Sequence, residues 1–492
     1  MNRIAVINVV GLTESLIGAH TPRLARFVRE RRLAQIAPAF PAVTCSAQSN
    51  YLTGKPPSEH GIVGNGWYNR ELAEVQFWKQ SNHLVHGQKI WEHLRQRDPR
   101  FTCAKLFWWF NMYSSADYSI TPRPMYPADG RKVFDIYTWP YSIRSEIKRD
   151  LGEFPFPTFW GPAAGVQTPQ GSPAAASRWI AESAKWIERK YQPTLNLIYL
   201  PHLDYNLQRF GPQTPPTRPV ATRSPSDGDR DRVRRVAAEL NPAILPDLQA
   251  IDTIVGDLID FFRTQSMQVV LLSEYGITNV DTPIHLNRLF RQKGWLAVKE
   301  ELGLELLDCG ASRVFTVADH QVAHIYLNDP SLRVRVRDLL QSWEGVDRVL
   351  DKEDQVAAGI DHPRAGDLIA VADEKSWFTY YYWLDDARAP DFARTVDIHR
   401  KPGYDPVELF LDPQLKFPKL QIAWRLLKKQ LGVRMLMDVI PLDAALVKGS
   451  HGRRPANPAD WPVFITGRPE LLQAPQMEST DVFHALVRHL LH

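Results

Sequence analysis

The run IAVINVV at residues 4–10, closed by Gly11, constrains this chain more than any other stretch. It is short, rich in β-branched residues and without in-and-out alternation, so it reads as a strand buried on both faces. Strands of that kind belong to parallel sheets covered by helices. The chain repeats the pattern. A helical stretch follows from Thr21 to Arg32, with Thr21 placed as N-cap and Pro22 at the first helical position. AQIAPAF (34–40) is strand-like, and LNLIYL (195–200) and MQVVLL (267–272) are two further apolar runs. Between those two lies Pro242 to Thr264, whose apolar residues recur at three- and four-residue spacing. Strands alternating with helices predict an α/β fold with a mostly parallel, doubly wound sheet.

At 492 residues, 44% hydrophobic and 23% charged, the chain can bury a large core. The expectation is one domain over residues 1–492, carrying aromatic- and proline-rich insertions or caps at 105–175 and 375–447. A Pro/Ser/Arg-rich loop at 211–230 is expected to be mobile. A net charge of +4 without a Lys/Arg block gives no footprint for nucleic acid. Cys45, Cys103 and Cys309 are too few and too scattered for a disulfide framework or a paired-cysteine zinc site. No signal-peptide pattern opens the sequence, and no stretch of about 20 apolar residues could span a bilayer. These features predict a reduced, cytoplasmic protein with no membrane partner.

In an open parallel sheet, ligands bind beyond the carboxyl ends of the strands. The polar residues there are Asn8 to Gly11, Thr44, Asp204 with Gln208, and Glu274-Tyr275. Thr44 precedes SAQSNYLTG, a helix-compatible stretch that Gly54 would end as C′. Its hydroxyl would then sit at a helix N-terminus, where free N–H groups and the dipole favour an anion. A threonine there serves as an N-cap worth about 1 kcal/mol, or as a nucleophile once a base or metal takes its proton. Both roles can hold at once.

The segment FPAVTCSAQSNYLTGKPPSEHGIVGNGWY resembles the nucleophile region of type I phosphodiesterases and nucleotide pyrophosphatases, in the alkaline phosphatase superfamily. YLPHLDYNLQRFGP, LLSEYGI and GSHG follow in that family's order. The resemblance implies an alkaline-phosphatase-like core and a metal-dependent hydrolase of a small phosphate ester. Thr44 would be its nucleophile and Asn65 a hydrogen-bond donor to a phosphoryl oxygen. Asp204 and His451 would be metal ligands.

The remaining ligand positions depart from the family. Its aspartate after the first strand is Val10 here, with Asn8 the nearest oxygen donor on the same face. Its histidine four residues beyond Asp204 is Gln208, and its Asp-His pair is Glu274-Tyr275. Ordinary members clamp the attacking and leaving oxygens between two ions about 4 Å apart. Gln and Asn suit harder cations, and Tyr275 binds a metal only as a phenolate. The cofactor expected is a divalent metal, zinc first with manganese or iron as alternatives, one or two ions. Two other readings stay open: the same fold with a changed reaction at an unusual metal, or a silent descendant that binds a phosphate ligand.

Other polar clusters could line the substrate or support a ligand from behind. In VADHQVAHIYL, His320 and His324 share a face if the segment is extended, beside Asp319. Asp397 and His399 sit in TVDIHRKPGYDP, followed by Arg400 and Lys401. Arg400, Lys401, Arg453 and Arg454 could hold a phosphate or carboxylate, the last two foremost because they closely follow His451.

Overall fold

The computed structural model describes residues 1–128, 132–166, 172, 174–214, 239–433 and 435–492. Most of the expected mobile loop at 211–230 lies outside the described residues. In chain order the strands of the two larger sheets begin with β1 (Ile4–Val9), β2 (Arg32–Ala37), β3 (Cys103–Leu106), β4 (Tyr118–Pro122), β5 (Ile136–Trp139), β6 (Leu195–Leu200) and β7 (Gln268–Leu272). Four more follow, β8 (Val314–Asp319), β9 (Val322–Leu327), β10 (Val346–Leu350) and β11 (Leu368–Ala372), and then β12 (Val463–Thr466) and β13 (Gln476–Glu478).

Nine of these form the central sheet in the order β13-β2-β12-β7-β1-β6-β3-β4-β5. All run parallel to β1 except β12 and the edge strand β5. β1 lies at the centre between β6 and β7, and every residue in it is buried. That is why its sequence shows no alternation: helices cover both faces. The strand read as 34–40 occupies Arg32–Ala37 instead, because Pro38 has no N–H to continue the ladder.

The helices that matter are α1 (Pro22–Arg29), α2 (Thr44–Thr53), α3 (Ala175–Tyr191), α4 (His202–Phe210), α5 (Leu245–Thr264), α6 (Pro418–Gln430) and α7 (Asp481–Leu491). Thr21 stands at the N-cap of α1 but makes no side-chain cap bond. Its hydroxyl is used by the preceding turn, accepting from the Gly18 N–H and donating to the Leu16 carbonyl. The helix read over 242–264 begins as a short 3₁₀ turn, Pro242–Ile244, before α5. Gly54 ends α2 at φ 67°, the left-handed conformation that favours glycine.

β8 to β11 form a second, antiparallel sheet in the order β8-β9-β11-β10. It has its own core, in which Phe315 and Tyr326 pack with Trp377 and Tyr380 to Trp383. The 105–175 region supplies β4 and β5 at one edge of the central sheet. Its Phe107 and Phe154 pack on Trp179 of α3.

Candidate functional site

Register places the polar residues together. Asn8 in β1 pairs with Tyr199 in β6 and Leu272 in β7, so the three central strands end at one level. Asp204 then falls in the first turn of α4, while Glu274 and Tyr275 follow β7 directly. Thr44 opens α2. Asn65 bridges this helix start to the second sheet: its Oδ1 accepts the Cys45 N–H at 3.1 Å. Its own N–H and Nδ2 donate to Asp319 at 2.7 and 3.0 Å. The Asn65 amide therefore ties the Thr44 turn to Asp319 and keeps a second Nδ2 hydrogen to donate.

A chain of hydroxyls leads away from the threonine. Thr44 Oγ1 lies 3.2 Å from the Tyr275 hydroxyl, which donates to Asp204 Oδ1 at 3.2 Å. Gln208, one turn along α4, donates to Asp204 Oδ2 at 2.8 Å and to the Tyr404 hydroxyl at 3.1 Å. On the other side, Glu274 Oε1 accepts from Asn8 Nδ2 and Gln48 Nε2, both at 2.5 Å. One carboxyl oxygen therefore accepts twice, and the other, Oε2, is left without a partner among the described residues.

Burial sets the proton affinities. It pushes Glu274 up to about 8, with the Gln48, Asn8 and Thr44 bonds pulling the other way. It pushes Asp204 up to about 7 against the Gln208 and Tyr275 bonds. Asp319 rises to about 7 in the same way, against the Asn65 bonds. Tyr275 is raised well above the ordinary phenol range, first by burial and then by Asp204. It is a neutral hydroxyl here.

Four rings close the other flank. Tyr275 stacks on His451 with centroids 3.6 Å apart at 7°. His451 lies 3.6 Å from His320, and His320 lies 3.7 Å from Tyr404. His451 Nδ1–H donates to the Ala42 carbonyl at 2.7 Å, leaving Nε2 bare and without a partner among the described residues. Burial lowers His451 to about 3, and burial followed by the neighbouring His451 holds His320 well below the ordinary imidazole range, so both imidazoles are neutral. No residue of this centre from Thr44 to His451 exceeds 7% exposure.

These donors do not fit the paired ions of the family. Among the described residues no three His, Cys, Asp or Glu side chains gather where they could share an ion. His451 alone keeps the tautomer of a ligating imidazole. Asp204 is held by an amide and a hydroxyl, Glu274 by two amides, and Tyr275 lies flat on His451 rather than offering a phenolate. The six positions expected as ligands are thus together and largely bound to one another, while Asn8 Oδ1, Glu274 Oε2 and His451 Nε2 have no partner among the described residues.

The remaining candidates divide. His320 and His324 do not share a face, because His320 occupies the β8–β9 turn at φ 61° and breaks the alternation. His320 joins the ring stack. His324 donates to the Val63 carbonyl and accepts from the Gly366 N–H, both at 3.0 Å, a packing role. Asp397 and His399 stand apart from Thr44: His399 meets the Phe77 carbonyl, and the Asp397 N–H donates to Glu408. Lys401 is fully buried between Asp405 at 2.6 Å and Glu408 at 2.7 Å, so it is unavailable to a phosphate. Arg453 is held by the Ala372 carbonyl and Asp347, and Arg454 faces Glu478. Sequence reasoning missed Gln48 and Tyr404. Gln48 lies one helical turn beyond Thr44, a spacing that could have flagged it. Nothing local marks Tyr404.

The sequence model of the type I phosphodiesterase / nucleotide pyrophosphatase family matches residues 4–405. No curated protein matches the chain in sequence. Phosphonoacetate hydrolase from Sinorhizobium meliloti 1021, solved with phosphonoformate, superposes with a TM-score of 0.57 at 15% identity, over 99% of this chain and 96% of that one. Human ectonucleotide pyrophosphatase / phosphodiesterase 5 gives 0.56 at 14%, over 100% and 95%. Its murine counterpart gives 0.54 at 13%, over the same shares. At such identities the likeness speaks for the fold, an alkaline-phosphatase-like α/β core.

Proposed function

The chain belongs to the type I phosphodiesterase / nucleotide pyrophosphatase family of phosphoric ester hydrolases, and on that premise we propose that it cleaves a small phosphate ester through a phospho-Thr44 intermediate. The observation that carries this reading is the hydroxyl chain from Thr44 through Tyr275 to Asp204. As Thr44 Oγ1 attacks phosphorus, its proton passes to the Tyr275 oxygen and the Tyr275 proton to the Asp204 carboxylate. Tyr275 never ionises, so its raised proton affinity is no obstacle. The bond from Thr44 to phosphorus forms and the ester P–O bond breaks on the opposite side, the leaving oxygen taking a proton from water, while the Thr44 proton stays on Asp204 until Tyr275 returns it to Oγ1 at dephosphorylation. Water then cleaves phospho-Thr44. Glu274, neutral below about 8, offers its Oε2 hydrogen to a non-bridging oxygen, work that a cation does in ordinary members.

Small phosphorus anions are the substrate class. Phosphonoformate occupies the phosphonoacetate hydrolase, and AMP an inactive form of the murine phosphodiesterase. Turnover of bis-p-nitrophenyl phosphate and p-nitrophenyl phosphate tests the reading. Thr44→Ala is expected to cut it at least about 10³-fold, and a fully active Thr44→Ala protein would sink the mechanism. Elemental analysis is expected to find less than one zinc, manganese or iron per chain; a stoichiometric ion overturns activation by the hydroxyl chain. The closed ring stack over Tyr275 and His451 favours a second reading, a protein that binds a phosphorylated ligand without turning it over. Calorimetric binding of AMP without hydrolysis of either ester selects it.

A further inference from the structure

Far in sequence from the centre, α6 reverses the usual rule for a surface helix. Leu420, Trp424 and Leu427 recur at three- and four-residue spacing, which lines them along one face, with Phe417 just before the helix and Leu431 just after it. That face points outward: Phe417 is 78% exposed, Leu420 70%, Leu431 68% and Trp424 55%. Leu426, Val433 and Leu436 are exposed beside it. The inward side is held by Ile422 and Leu415 against the second core, and by an Arg425–Asp438 ion pair at 2.8 Å. The Asp412 N–H donates to the Val439 carbonyl at 2.8 Å, so the whole excursion leaves and rejoins the fold at one point. It stands out as a ridge.

Charge supplies the second observation. Residues 413–437 contain no Asp or Glu, whereas Lys416, Lys419 and Lys428 flank the apolar stripe. Lys428 Nζ lies 5.3 Å from the Trp424 ring centroid, at the border of the stripe. We propose that this ridge docks the protein onto the surface of an anionic phospholipid bilayer, with the stripe sunk at the headgroup–acyl boundary and the lysines among the headgroup phosphates. The thirteen-residue helix is about 20 Å long and lies in the interface. No described helix is long and apolar enough to cross a membrane. A second copy of the chain fits worse, because two such ridges face to face would set lysines against lysines with no acid to pair them. The proposal adds a membrane surface to a protein whose sequence had suggested none.

Co-sedimentation of the full chain with sonicated vesicles tests it. Vesicles of phosphatidylglycerol mixed with phosphatidylcholine are expected to retain the protein at least tenfold better than phosphatidylcholine alone, and less well as salt rises. The double variant Leu420→Ser, Trp424→Ser and the triple variant Lys416→Gln, Lys419→Gln, Lys428→Gln should each lower retention at least tenfold, with unchanged melting temperatures. Wild-type protein left in the supernatant, or retained equally well in both variants, overturns the proposal. So does sedimentation analysis showing a dimer that the Leu420/Trp424 variant abolishes while no vesicle is bound. Retention does not depend on turnover, so this test and that of Thr44 fail separately.

Discussion

The Thr44 centre and the α6 ridge invert the normal distribution of polar and apolar atoms in opposite directions. In the centre, carboxyls, amides and imidazoles are buried and must satisfy one another. On the ridge, aromatic and leucine side chains are 43–78% exposed to water. Both arrangements cost stability in the isolated chain, and a fold retains such a cost where something else makes use of it. The difference shows how the cost is met. In the centre it is met largely internally, by hydrogen bonds that also offset part of the rise in proton affinity that burial causes; on the ridge it is relieved by an external surface.

The largest expected effect falls on the hydroxyl chain. Tyr275→Phe keeps the ring on His451 but removes the link to Asp204, and kcat should fall about 10²–10⁴-fold. A loss under threefold would detach Asp204 from Thr44 activation. Lys401 comes next, because it is the charge on which a second buried polar knot depends. Lys401→Met leaves Asp405 and Glu408 without their cation and should cost about 3–5 kcal/mol in chemical denaturation; a change within about 1 kcal/mol would show that these acids are already neutral.

Glu274 gives an intermediate effect with a sign. Activity needs Asp204 ionised, so it falls as pH drops below about 7, and Glu274 protonated, so it falls as pH rises above about 8. The two limbs belong to the coupled pair. Glu274→Gln cannot ionise and should abolish the alkaline limb; an unmoved limb assigns it elsewhere. The raised value also means that the stability Glu274 contributes is full below about 4.5 and is lost as pH rises to about 8. The Gln variant should therefore gain roughly 2–4 kcal/mol on wild type between pH 5 and pH 9, read from denaturation curves at both values. The smallest effect is on the ridge. Leu420→Ser should shift stability by less than about 0.5 kcal/mol in solution, and a larger loss would mean that the face is covered.

How much of this was legible depended on distance along the chain. β1, β6 and the helix from Thr44 to Gly54 could be read because each is specified by its own residues: an unbroken apolar run, or a helix with its terminating glycine. The Asp204–Gln208 pair was readable as polar residues beyond the 195–200 strand, while the helix that sets them one turn apart came from the structure. The β8–β9 hairpin was not, since the tight turn at His320 carries neither glycine nor asparagine to announce a positive φ. Lys401 looked like a free cation beside Arg400, although its two partners lie only four and seven residues away. Nothing in their spacing said that all three would be buried.

Periodicity and a contiguous motif are local properties, so the parallel α/β core, the family and the place of Thr44 at a helix start were all written in the chain. What surrounds that hydroxyl was settled in three dimensions. Tyr275, Asp204, His451, His320 and Tyr404 come from five separate segments. Whether they hold ions or one another rests on distances of about 3 Å that no spacing along the chain encodes. The same limit applied to α6: its stripe was written in the sequence, but an apolar stripe ordinarily faces the core, and only packing shows that this one faces out.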